Sequence, residues 1–153
     1  MNLRKSVIRL ALYGLLILNF RAEAQQPKKL PRIGYLTAGS ASVAASNVEA
    51  FRQGLQQSGY VEGKDILVEW RYADGKRDRL RELADELVRM KVDVIVTAST
   101  PSIRAVQQAT KTIPIVMANV GDPVAQGFVA SLARPGGNIT GFTNLSPDVS
   151  TKR

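Results

Sequence analysis

The chain has 153 residues, 44% of them hydrophobic, with no Cys, no His and a formal net charge of +8. That length suits one domain of ordinary size. Without Cys or His there is no thiol nucleophile, no disulfide, no imidazole base and no zinc site of N/S type, and no cofactor is expected. No Lys/Arg block with interleaved aromatics occurs, so nucleic acid is not an expected partner.

The first residues read as a leader. Arg4, Lys5 and Arg9 form a basic region, Leu10–Phe20 is an apolar run, and Ala22-Glu23-Ala24 supplies a small-x-small cleavage pattern. Residues 1–24 are therefore expected to be a signal peptide, leaving a soluble, periplasmic product. The competing reading is a membrane anchor, but the run is short beside the roughly 20 residues of a spanning helix. The remaining chain has 17 basic and 12 acidic residues, a net of +5. Residues 25–30 form a polar linker.

Arg32–Leu36 follows Pro31 and predicts the first strand. Thr37–Ser42 is a loop of small polar residues, either a ligand loop or a plain strand-to-helix connection. Val48, Phe51 and Leu55 mark one helical face, ended by Gly59, with Gly54 expected to pack closely on a sheet. Asp65–Trp70 predicts the second strand. Trp70 and Tyr72 could stack on a ligand, or pack against the neighbouring strand. Leu80, Leu83, Ala84, Leu87 and Val88 mark a helix over Asp78–Met90, with Asp78 as its cap.

Val92–Val124 dominates the pattern. Val94–Val96 and Ile113–Met117 are β-branched runs, joined by helical spacing at Ile103, Val106 and Ala109. Two such strands joined by one helix imply a parallel pair with a right-handed crossover. Thr100-Pro101 and Asp122-Pro123 repeat one device, an N-cap residue followed by Pro at the first helical position. Val124, Phe128, Val129 and Leu132 predict a fourth helix. Ile139–Thr143 predicts a fifth strand. The expected architecture is a doubly wound α/β layer with a parallel five-stranded sheet of order 2-1-3-4-5.

Three stretches carry a resemblance: PRIGYL at Pro31–Leu36, Phe51–Gly75, and Leu83–Asn144 with its GDPV…SLARPGGNITG run. They resemble ABC-transporter substrate-binding proteins of the tryptophan/tyrosine-permease type. The resemblance implies one lobe of a type I periplasmic binding protein-like fold, in which two lobes close on a small molecule. Some members bind aromatic amino acids. It implies an ABC permease as membrane partner; an enzyme on a similar fold is the competing reading, and the lack of His, Cys, a paired-carboxylate cluster at the strand ends and a G-x-S-x-G elbow argues against it. Residues 31–145 match the N-terminal lobe, and 146–153 match a truncated crossover toward a missing C-terminal lobe. A non-binding remnant of such a protein is the alternative.

The resemblance places ligand contacts in the loops that match Thr37–Ser42, Ala98–Thr100 and Val120–Asp122, which makes Thr37 and Ser40 candidates. Ser99, Thr100 and the N–H groups after Pro101 suit a carboxylate, through charge-assisted hydrogen bonds and the helix dipole. Asp122 suits an ammonium, or is a plain N-cap. Asn144 and Thr143 are lobe contacts or hinge residues, or only make turn hydrogen bonds.

Overall fold

The computed structural model describes residues 29–144. The leader and its cleavage site, most of the linker, and the segment 146–153 lie outside the described residues. The elements are β1 (Arg32–Thr37), α1 (Ala41–Gln57), β2 (Leu67–Tyr72), α2 (Arg77–Arg89), β3 (Val94–Ala98), α3 (Thr100–Ala109), β4 (Ile115–Val120) and β5 (Ile139–Thr143). The strands form one sheet of order β2-β1-β3-β4-β5, and every neighbouring pair is parallel. This is the order expected from the sequence.

The central strands are buried on both sides, as a parallel sheet between helices requires, whereas β5 leaves Thr140, Gly141 and Phe142 exposed. On one side α2 and α3 bury Leu80, Ala84, Leu87, Ile103 and Val106 against Leu36, Ile95, Ile115, Met117 and Ile139. On the other, α1 brings Ala44, Val48, Phe51 and Leu55 onto Ile33, Tyr35, Val96 and Val68. At Gly34 the α2 side chain Leu87 lies close against β1. A Cβ there would stand 2.9 Å from Leu87 Cδ1.

β2 is one edge of the sheet and carries charge on its α2 side. Glu69 lies between Arg32 (3.7 Å) and Arg71 (3.5 Å), and Arg71 reaches Glu86 on α2 at 2.9 Å. Its other side carries Trp70, which packs on Tyr35 (5.0 Å between centroids) and Phe51 (6.0 Å). Arg52 stacks on the Trp70 ring, and the indole N–H donates to Glu62 Oε1 at 2.8 Å. Trp70 is therefore a packing residue, not a stacking platform for a ligand. Burial, and then the nearby Tyr72 phenol, push the Tyr35 hydroxyl above its usual pKa.

The structure shifts several expected boundaries. β2 starts and ends two residues later than Asp65–Trp70, and β4 runs Ile115–Val120 instead of Ile113–Met117. Pro114 precedes β4, and its carbonyl accepts from Ile95 N–H at 2.9 Å. α2 has Lys76 at its N-cap without a side-chain bond, and Asp78 lies in the first turn, where it favours the helix dipole.

Gly59 does end α1. It has φ +84, and the bonds Tyr60 N–H to Leu55 O and Gly59 N–H to Gln56 O complete a Schellman motif. Gly54 does not pack on the sheet. It is exposed, with nothing within 4 Å of a built Cβ. Gly54→Ala is expected to raise the unfolding free energy by about 0.5–1 kcal/mol, since it removes backbone entropy at no steric cost. Urea denaturation followed by circular dichroism checks this, and a lowered midpoint would refute it.

The fourth helix does not form. Asp122 caps a single turn, which Gly127 at φ +72 then ends. Phe128 N–H donates to Pro123 O (2.9 Å) and Gly127 N–H to Val124 O (3.0 Å), a second Schellman arrangement. Val124 and Leu132 are exposed, so the apolar spacing was not one helical face. Phe128 and Val129, adjacent in sequence, are the buried pair.

Candidate functional site

The strands all point the same way, so their carboxyl ends share one edge of the lobe. In open sheets of this kind ligands bind outside that edge, where the strand order reverses. Here the reversal lies between β1 and β3. The expected residues sort onto this edge by chain position: Thr37 at the end of β1, Ser99 and Thr100 after β3, Asp122 after β4 and Asn144 after β5.

Their hydrogen bonds show what each is already doing. Thr37 Oγ1 accepts from Gly39 N–H (3.4 Å). Ser40 is the N-cap of α1, its Oγ accepting from Val43 N–H at 3.4 Å and meeting Ser42 Oγ at 2.9 Å. Ser99, not Thr100, holds the N-cap position of α3, without a capping side-chain bond. Pro101 is then the second helical residue. Ser99 Oγ meets the buried Ser102 Oγ at 3.1 Å. Thr100 is free of capping duty and donates to Gln126 Oε1 at 2.6 Å.

Asp122 is a working cap. Its Oδ1 accepts from Val124 N–H (3.0 Å) and Ala125 N–H (2.9 Å), while the residue itself is exposed. Neither bond uses Oδ2. Asn144 N–H donates to Val120 O (3.1 Å), and Thr143 Oγ1 to Gly121 O (3.0 Å), so the β5 end is tied to the β4 end.

Two features were not expected. Gln126 joins the β3 and β4 ends: its side chain takes the Thr100 hydroxyl, and its carbonyl takes Arg104 Nη2 at 3.4 Å. Three of the four described non-glycine residues with positive φ also lie here, the fourth being Lys91 (φ +53) between α2 and β3. Asp74 (φ +52), Ser99 (φ +81) and Asn119 (φ +55) are non-glycine residues in left-handed conformation, each at or just after a strand's carboxyl end. Such conformations cost about 1–3 kcal/mol each and cluster where a surface has a task. The sequence signal for the last was Gly141, an isolated Gly inside a strand, which marks a bulge.

A groove of about 860 Å³ runs beside this edge, between the start of α2 and the length of α3, with Arg77, Arg81 and Arg104 on its walls beside Asp78 and Glu82. Thr100 is the one expected residue that borders it. Among the described residues no group of acidic side chains could hold a metal ion. Nor is any helix there long and apolar enough to cross a membrane.

Comparison with known proteins places this edge in context. The family model for ABC transporter substrate binding protein matches residues 40–150. A tyrosine-binding protein of Clostridioides difficile is 40% identical over 96 residues, which is 63% of this chain and 28% of that one. The structure of an ABC domain in complex with L-Trp from Streptococcus pneumonia superposes with a TM-score of 0.70 at 27% identity. It covers 74% of this chain and 38% of its own. A ligand-free, open substrate binding protein with adhesive properties from Clostridium difficile gives a TM-score of 0.72 at 30% identity, covering 76% of this chain and 40% of its own. The chain thus spans well under half the length of these relatives. Since the family model takes in most of the described residues, from the cap of α1 to the end of β5, the chain belongs to the ABC transporter substrate binding protein family.

Proposed function

We propose that this chain is the first lobe of an extracytoplasmic solute-binding protein that serves an ABC importer. Its ligand is a small molecule of the amino-acid class, aromatic in side chain. The observation that carries the reading is the convergence of Ser99, Thr100 and Asp122 on adjacent strand ends, with Thr100 tied through Gln126 to the Asp122 turn. The Ser99 hydroxyl and the N–H groups at the start of α3 suit a carboxylate, while the Thr100 proton is already given to Gln126. The remaining oxygen of Asp122 suits an ammonium. The binding partners named for the relatives, tyrosine and tryptophan, support the ligand class. Export through the leader and delivery to a membrane permease belong to the same proposal.

One lobe leaves about half of a bound ligand in water, so this chain alone binds weakly. Losing ~3 kcal/mol of contacts weakens binding about a hundredfold. Calorimetric titration with L-tyrosine and L-tryptophan, on this chain and on one extended by a second lobe, tests it. The extended chain should bind about a hundredfold more tightly. Equal submicromolar affinity in both would sink the two-lobe reading. Asp122→Ala should weaken binding more than Ser99→Ala, because it leaves the ammonium without a counter-charge. It should also cost about 1 kcal/mol of stability through the lost cap. Unchanged affinity in Asp122→Ala would leave Asp122 as a cap alone.

A further inference from the structure

We propose that Asn119 is a ligand-contacting residue whose side-chain amide reads the zwitterionic head of the bound amino acid. This rests on the proposed function and adds to it a residue that the strand-end loops alone do not reveal.

The placement is made by a bulge. Met117 pairs with Gly141 and Val120 with Thr143, so Ala118 and Asn119 on β4 face the single residue Phe142 on β5. The extra residue restores Val120 to the α2/α3 core, where it is 2% exposed. Asn119 is left out of the ladder, exposed, at φ +55. A bulge of this kind bends its strand and re-aims a side chain.

The neighbour is as telling. Ala98 and Ala118 are the last paired residues of β3 and β4. The next residues on the two strands are Ser99 and Asn119, at φ +81 and +55. Two strained residues thus stand side by side at the centre of the carboxyl edge, one strand from the point where the order reverses.

Asparagine is one of the few non-glycine residues that tolerate a left-handed φ, so the backbone conformation narrows the residue type to Gly, Asn or Asp without requiring an amide. Glycine adopts a left-handed φ with less strain than asparagine does. An asparagine kept for its turn commonly bonds its side chain back to the chain. Among the described residues the Asn119 amide makes no such bond. It is a free donor and acceptor on one planar group. An α-amino acid offers an acceptor carboxylate and a donor ammonium on one carbon. A side-chain amide can serve both without adding charge, beside an Asp122 whose Oδ1 is already taken by two N–H groups.

The test separates a contact from a turn former. Asn119→Gly keeps the backbone conformation and removes the amide. Asn119→Asp keeps side-chain size and tolerance of left-handed φ but replaces the donor by a charge that repels a carboxylate. ¹H–¹⁵N NMR titration of the full chain with L-tyrosine gives dissociation constants, and urea midpoints report folding. The expected result is a midpoint for Asn119→Gly no lower than the wild type and an affinity about tenfold weaker. Asn119→Asp should also bind more weakly, and it carries the test if the glycine variant does not fold. Wild-type affinity in a folded variant overturns the inference while the proposed function stands. If the wild type itself fails to bind both L-tyrosine and L-tryptophan, both fall.

Discussion

Gly141→Ala is expected to lower the unfolding free energy by about 3 kcal/mol or more, enough to leave much of a marginally stable lobe unfolded. Gly141 sits in β5 at φ +141, a backbone conformation that L residues rarely adopt. A Cβ there would overlap the Met117 carbonyl oxygen and stand 2.7 Å from Met117 N. Both are backbone atoms of the paired strand, so no rotamer change can make room. Relief needs β5 to move away from β4 at the bulge. That breaks the pairs on either side, Val116 with Thr140 and Val120 with Thr143. Urea denaturation measures the loss. A fall of less than about 1 kcal/mol would show that the bulge relaxes freely, and would weaken the case that it holds Asn119 in one place.

Leu87→Ala should cost about 2–5 kcal/mol. Leu87 is 0% exposed at the centre of the α2 contact with the sheet. Its methyls lie against Gly34, whose Cβ, if it had one, would be 2.9 and 3.0 Å from Cδ1 and Cδ2. Gly34→Ala is destabilising in its turn, because the added methyl pushes Leu87 off its place. Combined, the two changes oppose each other: the methyl at 34 enters the space vacated at 87. The double variant should therefore be more stable than the sum of the single losses, by about 1 kcal/mol or more. Additive losses across the four proteins would mean that Gly34 is needed for a reason other than the approach of Leu87.

Much of this lobe could be read from the residues because its signals were local and repeated. Short β-branched runs alternating with apolar helical faces fix a parallel sheet, and the strand order followed. The failures also have physical causes. Val124, Phe128, Val129 and Leu132 mimic a helical face, but Gly127 reverses the backbone within one turn, and a hydrophobic spacing cannot register that. A packing role is expected of Gly54, whereas the glycine that a helix side chain packs against is Gly34, a long-range property of the α2 register. At the site, residue types near strand ends were legible. Their engagement was not, because Ser99, at φ +81, takes the cap position in place of Thr100. Gln126 bridges two loops through a 2.6 Å contact with Thr100, 26 residues away. Asn119 needed the bulge, and the bulge needed the β4–β5 register.

The ion pairs along β2 have a consequence for growth of the sheet. Among the described residues both outer strands, β2 and β5, present one row of backbone groups that no strand pairs with. An outer strand accepts a further strand from any chain unless something deters it, and inward-pointing charge on that strand is one deterrent. β2 has it: Glu69 and Arg71 are held by Arg32 and Glu86, and a newcomer would have to desolvate that chain of charges. β5, Ile-Thr-Gly-Phe-Thr, has no charged residue, and its Phe142 is 77% exposed. Among the described residues the sheet is guarded on one flank and unguarded on the other, so self-association at high concentration is expected to start at β5.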